Sequence, residues 1–316
     1  MEIKYLTSPT EFKDSDLDTF THALDLEKYF TDKYLSIVQH DLFLNNAISY
    51  SQNLFQDKFL ITLIGELHEK QWKCPKPNID ISDFVRNIVK KNPNTKVLIE
   101  YPNDMPSDVI KQIQSQAIRD TYTKLEADNN VHVIIPYDFR PIILGPTANR
   151  DLYQMDFSRL SGRMHQANIL HYIRTHFLDP YIFMQNRNPM VFSPNTSSPE
   201  LSNLLQSEKT QLDYDFNEIV RLVNSENPPP PGQIQIRLKA FWQKVTDWFA
   251  LREVFSDDQN ANFIFIGGDK HFEFLKSQLQ KITIQLDQSK ISEENKCINL
   301  AGSFTYLPYQ VQPRTW

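Results

Sequence analysis

Four short apolar runs punctuate an otherwise polar chain: Lys58 to Ile64, Lys96 to Glu100, Val131 to Pro136 and Asn262 to Ile266. Each is strand-sized and rich in β-branched or aromatic residues, and the first stops abruptly at Gly65, which predicts buried strands rather than helices. Between the first two runs, Ile81 to Lys90 spaces its apolar residues by three and four, as a helix with Asp80 or Ser82 as N-cap does. Ser107 to Ala127, opened by Pro106, predicts a second helix between the second and third runs. Strand, helix, strand, helix, strand implies an α/β fold, a mostly parallel central sheet flanked by helices. Ile282 to Leu286 and Cys297 to Ala301 read as strands that complete it.

Outside these runs the period changes. Residues 15 to 56 read as helical and polar-faced, with Leu26, Tyr29, Phe30, Tyr34, Ile37 and Val38 at helical spacing. Asp151 to Phe177 is again helical in pattern, Pro180 to Pro199 reads as a proline- and asparagine-rich loop, and Pro228 to Gly232 as a stiff break. Residues 151 to 232 are therefore expected to form a helical insertion, or cap, within a single α/β domain spanning 1 to 316. A helix from about Ile236 to Phe255 follows, with Leu238, Phe241, Val245 and Trp248 or Phe249 on one stripe and Arg252 on the same stripe, where a guanidinium needs a partner.

Composition narrows the function classes. A net charge of -6 and the lack of a basic run argue against a nucleic-acid partner. No stretch approaches the roughly 20 apolar residues that span a bilayer, and Met1 to Phe30 lacks the unbroken apolar core of a signal peptide. Two lone cysteines, Cys74 and Cys297, with no CxxC pair, suggest a reducing compartment, so the expected location is the cytoplasm. Walker, GxGxxG, GxSxG and HExxH signatures are missing from the sequence.

The candidate chemistry sits at the ends of the predicted strands. Gly65-Glu66-Leu67-His68 and Gly268-Asp269-Lys270-His271 are two Gly-x-x-His turns, each directly after a strand-like run, in a chain with only seven glycines and eight histidines. Glycine suits a sharp strand exit, and the histidine three residues later can turn back over the sheet edge. Each turn carries an acid, Glu66 or Asp269. An imidazole beside a carboxylate serves metal ligation or general base catalysis, and spacing does not choose between them. Glu100 ends the second run, and a carboxylate after a buried strand is costly unless paired or solvated. Asp138 and Arg140 follow the third run, as a site pair or a plain ion pair. His132 alternates with Val131 and Val133 as an outward-facing strand residue, and His165, His171 and His176 share no ligand spacing. Parallel strands would gather His68, Glu100, Asp138 and His271 at one sheet edge, where ligands of such sheets collect.

Together, Ile64-Gly65-Glu66-Leu67-His68, Glu100 and Phe265-Ile266-Gly267-Gly268-Asp269-Lys270-His271 resemble the TIKI/TraB superfamily, which includes haem-associated ChaN proteins and erythromycin-esterase-like proteins. Asp247-Trp248-Phe249-Ala250-Leu251-Arg252 looks like the Asp-x-x-x-x-Arg helix of some members. The resemblance spans Lys58 to Leu279 in order. It implies an active centre of Glu66, His68, Glu100 and His271, with Arg252 as an electrostatic partner. The implied activity is that of a hydrolase on a peptide or ester, with a divalent ion (Mn, Co or Zn) held by His68, His271, Glu66 and Glu100. A metal-free relative would use His68 as general base activated by Glu66. The alternative is a protein that binds haem or another small molecule, or an inactive interaction module of the same fold.

Overall fold

In a computed structural model, the structure describes residues 36–37, 41–55, 59–66, 74–102, 115–160, 164–187, 189–193, 196, 198–256, 261–290, 297–301 and 304–305. Two compact units emerge. One comprises Met1–Glu100, Pro106–Ile135 and Asn260–Trp316, and the other Tyr101–Met105 and Pro136–Gln259.

In chain order the strands are β1 (Ser36–Ile37), β2 (Phe43–Asn45), β3 (Ala47–Phe55), β4 (Phe59–Glu66), β5 (Asn78–Asp80), β6 (Thr95–Pro102), β7 (Ile134–Asp138), β8 (Asn262–Gly268), β9 (Ile284–Lys290), β10 (Ile298–Asn299) and β11 (Phe304–Thr305). The main sheet has the order β7-β6-β8-β4-β3-β9. Its centre, β6, β8 and β4, is parallel; β3 lies antiparallel to β4, and β9 antiparallel to β3, so β9 points the same way as β4. The expected mostly parallel sheet flanked by helices is present.

Its central strands are apolar because both faces are covered. Helix α1 (Ile81–Lys91) buries Ile81, Phe84, Val85, Ile88 and Val89, a stripe of helical period, and the Phe84 ring meets Tyr50 of β3 edge-on. Helix α2 (Gln116–Ala127) lies beside α1, joined to it by Lys124 to Asp83 and by the two-toothed pair of Arg86 and Asp128. On the opposite face of β3, Ser49 meets α10 (Asp269–Leu279) through Asp269.

Four sequence expectations are corrected here. Residues 47 to 55 form a strand, not a helix. Their polar members are buried and satisfied, Gln52 by Thr62 on β4, Asn53 by Ser51 within the strand and Ser49 by Asp269 of α10, so their polarity does not mark a solvated face. Leu26, Tyr29, Phe30, Tyr34 and Val38 lie outside the described residues. Val131–Val133 is a 3-10 turn with His132 exposed, and the strand begins only at Ile134. Ile298–Asn299 joins β2 and β5 in a separate three-stranded sheet rather than the main one. Finally, Cys74 and Cys297 are bonded to each other, with Cα atoms 5.7 Å apart, tying that small sheet together across a sequence separation of 223. This runs against the reading of two reduced thiols.

The second unit is helical: α3 (Arg140–Leu144), α4 (Pro146–Gln154), α5 (Phe157–Leu160), α6 (Gln166–Ile173), α7 (Asp179–Arg187), α8 (Pro199–Val223) and α9 (Pro231–Val254). Its core gathers Phe157, Phe177, Tyr181, Phe216, Phe241, Trp242, Trp248 and Phe249. The C-terminal half of α9, from Phe241 to Leu251, is buried nearly all round, while Gln233, Ile236, Arg237 and Ala240 keep an exposed face on its N-terminal half. The loop expected from Pro180 is a helix to Arg187. A π turn at Arg174–Leu178 joins α6 to α7, widening the backbone where the Pro180 ring would otherwise press on the turn before it. No described helix is long and apolar enough to cross a membrane.

Candidate functional site

The two Gly-x-x-His motifs begin on adjacent parallel strands, offset by one residue. Gly65 of β4 faces Gly267 of β8, and Glu66 faces Gly268. Gly65 is needed for closeness: a Cβ built there would lie 2.0 Å from Ser49 Oγ and 3.3 Å from both Asp269 Oδ1 and Phe272 Cβ. Through that gap the Ser49 hydroxyl donates to Asp269 Oδ1 at 2.8 Å, so the acid of the second turn is anchored over the glycine of the first.

Glu66 ends β4 and is only 3% exposed. Its Oε1 accepts a 2.8 Å hydrogen bond from Ser115 Oγ, which in turn accepts from the Ile118 amide as the N-cap of α2. One hydroxyl thereby orients the carboxylate and closes the helix.

Glu100 lies on β6, with its side chain 11% exposed. Its Oε2 accepts from the Gly268 amide at 3.0 Å, and its Oε1 lies 3.1 Å from Nε2 of His271, whose side chain is 7% exposed. Gly268 is the N-cap of α10, so one carboxylate holds both the opening amide and the histidine of the second turn. These strands are parallel, so Glu66, Glu100 and His271 share the carboxyl end of the sheet.

His68 lies outside the described residues. Asp138 belongs to the helical unit, where both its oxygens pair with Arg140, Nε to Oδ1 at 2.7 Å and Nη2 to Oδ2 at 3.0 Å, and Arg140 also donates to the Tyr153 hydroxyl at 2.7 Å. Side-chain exposures of 10% and 11% make it a largely buried ion pair opening α3. Arg252, in the same unit, is anchored by Glu253 Oε1 at 3.0 Å and by the carbonyls of Ser193 and Met190. Burial raises the Glu253 carboxyl above its ordinary range, against the opposing pull of Arg252.

Sequence reasoning missed Ser115 and Ser49. Ser115 carried a cap signal, a serine opening a helix, but the helix was expected to begin at Ser107. Ser49 sat in a segment read as helical, which hid its side of the sheet.

The donor chemistry of Glu66, Glu100 and His271, imidazole nitrogen and carboxylate oxygen without thiolate, fits Mn, Co or Zn. Among the described residues, however, no three His, Cys, Asp or Glu side chains gather closely enough to hold an ion, so a set of this kind needs a donor outside them, the place His68 has in the sequence expectation. Comparison with protein-family models, curated proteins and solved structures finds no match.

Proposed function

We propose that this chain is a metal-dependent hydrolase of the TIKI/TraB type, acting on a peptide or ester bond at the carboxyl ends of β4, β6 and β8. The observation that carries the reading is the in-register pairing of Gly65 with Gly267. It brings the starts of the two Gly-x-x-His motifs onto neighbouring strands, with Glu66 and the Glu100–His271 pair buried at the same end. Buried carboxylates and an imidazole at a sheet edge are costly to a fold that does not use them.

In this reading His68, His271 and Glu66 hold a divalent ion of the Mn, Co or Zn class, with Glu100 beside them. When bound, such an ion polarises a carbonyl and lowers the pKa of its water. The chain's own residues then orient and exclude: Ser115 fixes the Glu66 carboxylate, Glu100 fixes His271, and the apolar strands beneath keep water from the underside. Arg252, which the resemblance offers as an electrostatic partner, is bonded within the helical unit to Glu253 and to the carbonyls of Ser193 and Met190.

One observation favours a second, metal-free reading. His271 and Glu100 already form an imidazole–carboxylate pair, the arrangement of a general base with its orienting acid. The Cys74–Cys297 bond favours an oxidising compartment over the cytoplasm. The test of the hydrolase reading is a screen of ester and peptide substrates with Mn, Co or Zn added, then with chelator. Turnover that chelator abolishes supports the metal-dependent form, and turnover that chelator leaves intact supports the metal-free form. Turnover of no substrate under any condition counts against both and for a binding protein.

A further inference from the structure

We infer that Glu100 is a positioning residue that fixes His271, not a ligand of the ion; the inference rests on the hydrolase reading only where the ion is concerned. Three observations carry it. Both carboxylate oxygens are committed within the second turn, Oε2 to the Gly268 amide at 3.0 Å and Oε1 to His271 Nε2 at 3.1 Å. Glu100 lies on β6, whose residues pair with β8, so the clamp is built across the sheet from one strand to the start of the helix that follows the next. Both side chains are nearly sealed from solvent, where such hydrogen bonds are strongest and an unpaired charge costs most.

The chemistry follows from the inventory of imidazole. A carboxylate oxygen only accepts, so Nε2 must carry the proton, and in the neutral ring the lone pair then resides on Nδ1. Glu100 thereby selects the Nε2–H tautomer, as outer carboxylates do for histidines at metal and base sites. Glu66 Oε1 instead accepts from Ser115 Oγ at the helix α2 N-terminus. Of the two glutamates that the sequence offers as equivalent ligands, Glu100 is the one assigned to the clamp.

The test uses the full chain labelled with 15N in histidine, as wild type, Glu100→Ala and Glu100→Gln, with folding of each checked by circular dichroism. Ring nitrogen shifts at a pH where His271 is neutral read the tautomer, amide exchange reads the Gly268 bond, and titration with Zn2+ and Mn2+ reads stoichiometry and affinity. Wild type should show the Nε2–H form. Glu100→Ala should mix the tautomers and speed Gly268 exchange by about tenfold, the equivalent of one lost hydrogen bond. Glu100→Gln offers one carbonyl for two donors and should rescue only one of these effects. Ion stoichiometry should persist in Glu100→Ala with affinity reduced about 10- to 100-fold, the usual effect of losing an outer partner. An Nδ1–H tautomer in wild type, or unchanged ring shifts in Glu100→Ala, would overturn the clamp. Complete loss of stoichiometric binding in Glu100→Ala, matching His271→Ala, would make Glu100 a ligand and overturn the assignment. If wild type binds neither ion, the metal reading fails, while tautomer and exchange still decide the clamp.

Discussion

Replacing Gly65 with alanine tests whether the two turns are interlocked. The added Cβ would lie 2.0 Å from Ser49 Oγ, far inside contact distance, with Asp269 Oδ1 and Phe272 Cβ at a tight 3.3 Å. Two relaxations are open. If the backbones shift apart, the cost is that of overpacking a well-filled site, about 1–3 kcal/mol. If Ser49 rotates away, Asp269 loses its 2.8 Å hydrogen bond, and a bond to a charged acceptor contributes about 1.5–3 kcal/mol. Either way Gly65→Ala should destabilise by about 1–3 kcal/mol. Ser49→Ala removes the colliding atom and leaves the rest of the side chain, so in that background the cost of Gly65→Ala should fall below about 1 kcal/mol. The assay is a double-mutant cycle from urea unfolding, read as midpoint changes at constant slope. An equal cost of Gly65→Ala in both backgrounds, or no cost in wild type, refutes the interlock.

Three further outcomes follow from the structure. Replacing both Cys74 and Cys297 with alanine should lower stability by about 2–5 kcal/mol and release the small sheet first, seen as early loss of amide protection at Leu44 and Ile298. Glu253 has a carboxyl raised by burial, so the stability it contributes is present below its unfolded pKa and is lost as pH rises through the folded value. Stability of Glu253→Gln relative to wild type should therefore rise across that window, and a flat difference from mildly acid to neutral pH contradicts the placement. Asp128 behaves oppositely. Arg86 and then Lys90 hold its carboxyl well below the usual range, so its contribution persists above the unfolded pKa and fades as pH falls; Asp128→Asn should remove that acid dependence from the unfolding midpoint.

The sheet was legible where apolar runs are continuous, because strands buried on both faces leave no alternation to misread, as in Phe59 to Ile64 and Phe263 to Ile266. It was illegible at β3, where Ser49, Ser51, Gln52 and Asn53 are buried yet polar. Two of their partners, Asp269 for Ser49 and Thr283 for Asn53, lie over 200 positions away, which no local window contains. Helix α7 escaped for a related reason: the proline that marks a loop in sequence is accommodated by a π turn set by the packing of Phe177 and Tyr181 in the helical core. Of the candidate residues, Glu66, Glu100 and His271 were expected near strand ends, and they lie at the carboxyl end of the sheet. The clamp of Glu100 on His271 was not legible, because it depends on which oxygen meets which donor. Asp138 showed the limit of the same argument, its strand-end charge being consumed by Arg140 two residues on.

The central claim is that His271 and His68 act together through a divalent ion. Its most direct test is the metal content of chain purified without chelator and then dialysed against Zn2+, Mn2+ or Co2+, measured for wild type, His68→Ala, His271→Ala and the double variant, with unfolding temperature of the metal-free forms as control. The account predicts about one tightly held ion per wild-type chain, none in any variant, and metal-free forms that unfold near the wild-type temperature. An ion retained at full stoichiometry in the double variant, or a wild-type chain that holds none, would contradict it.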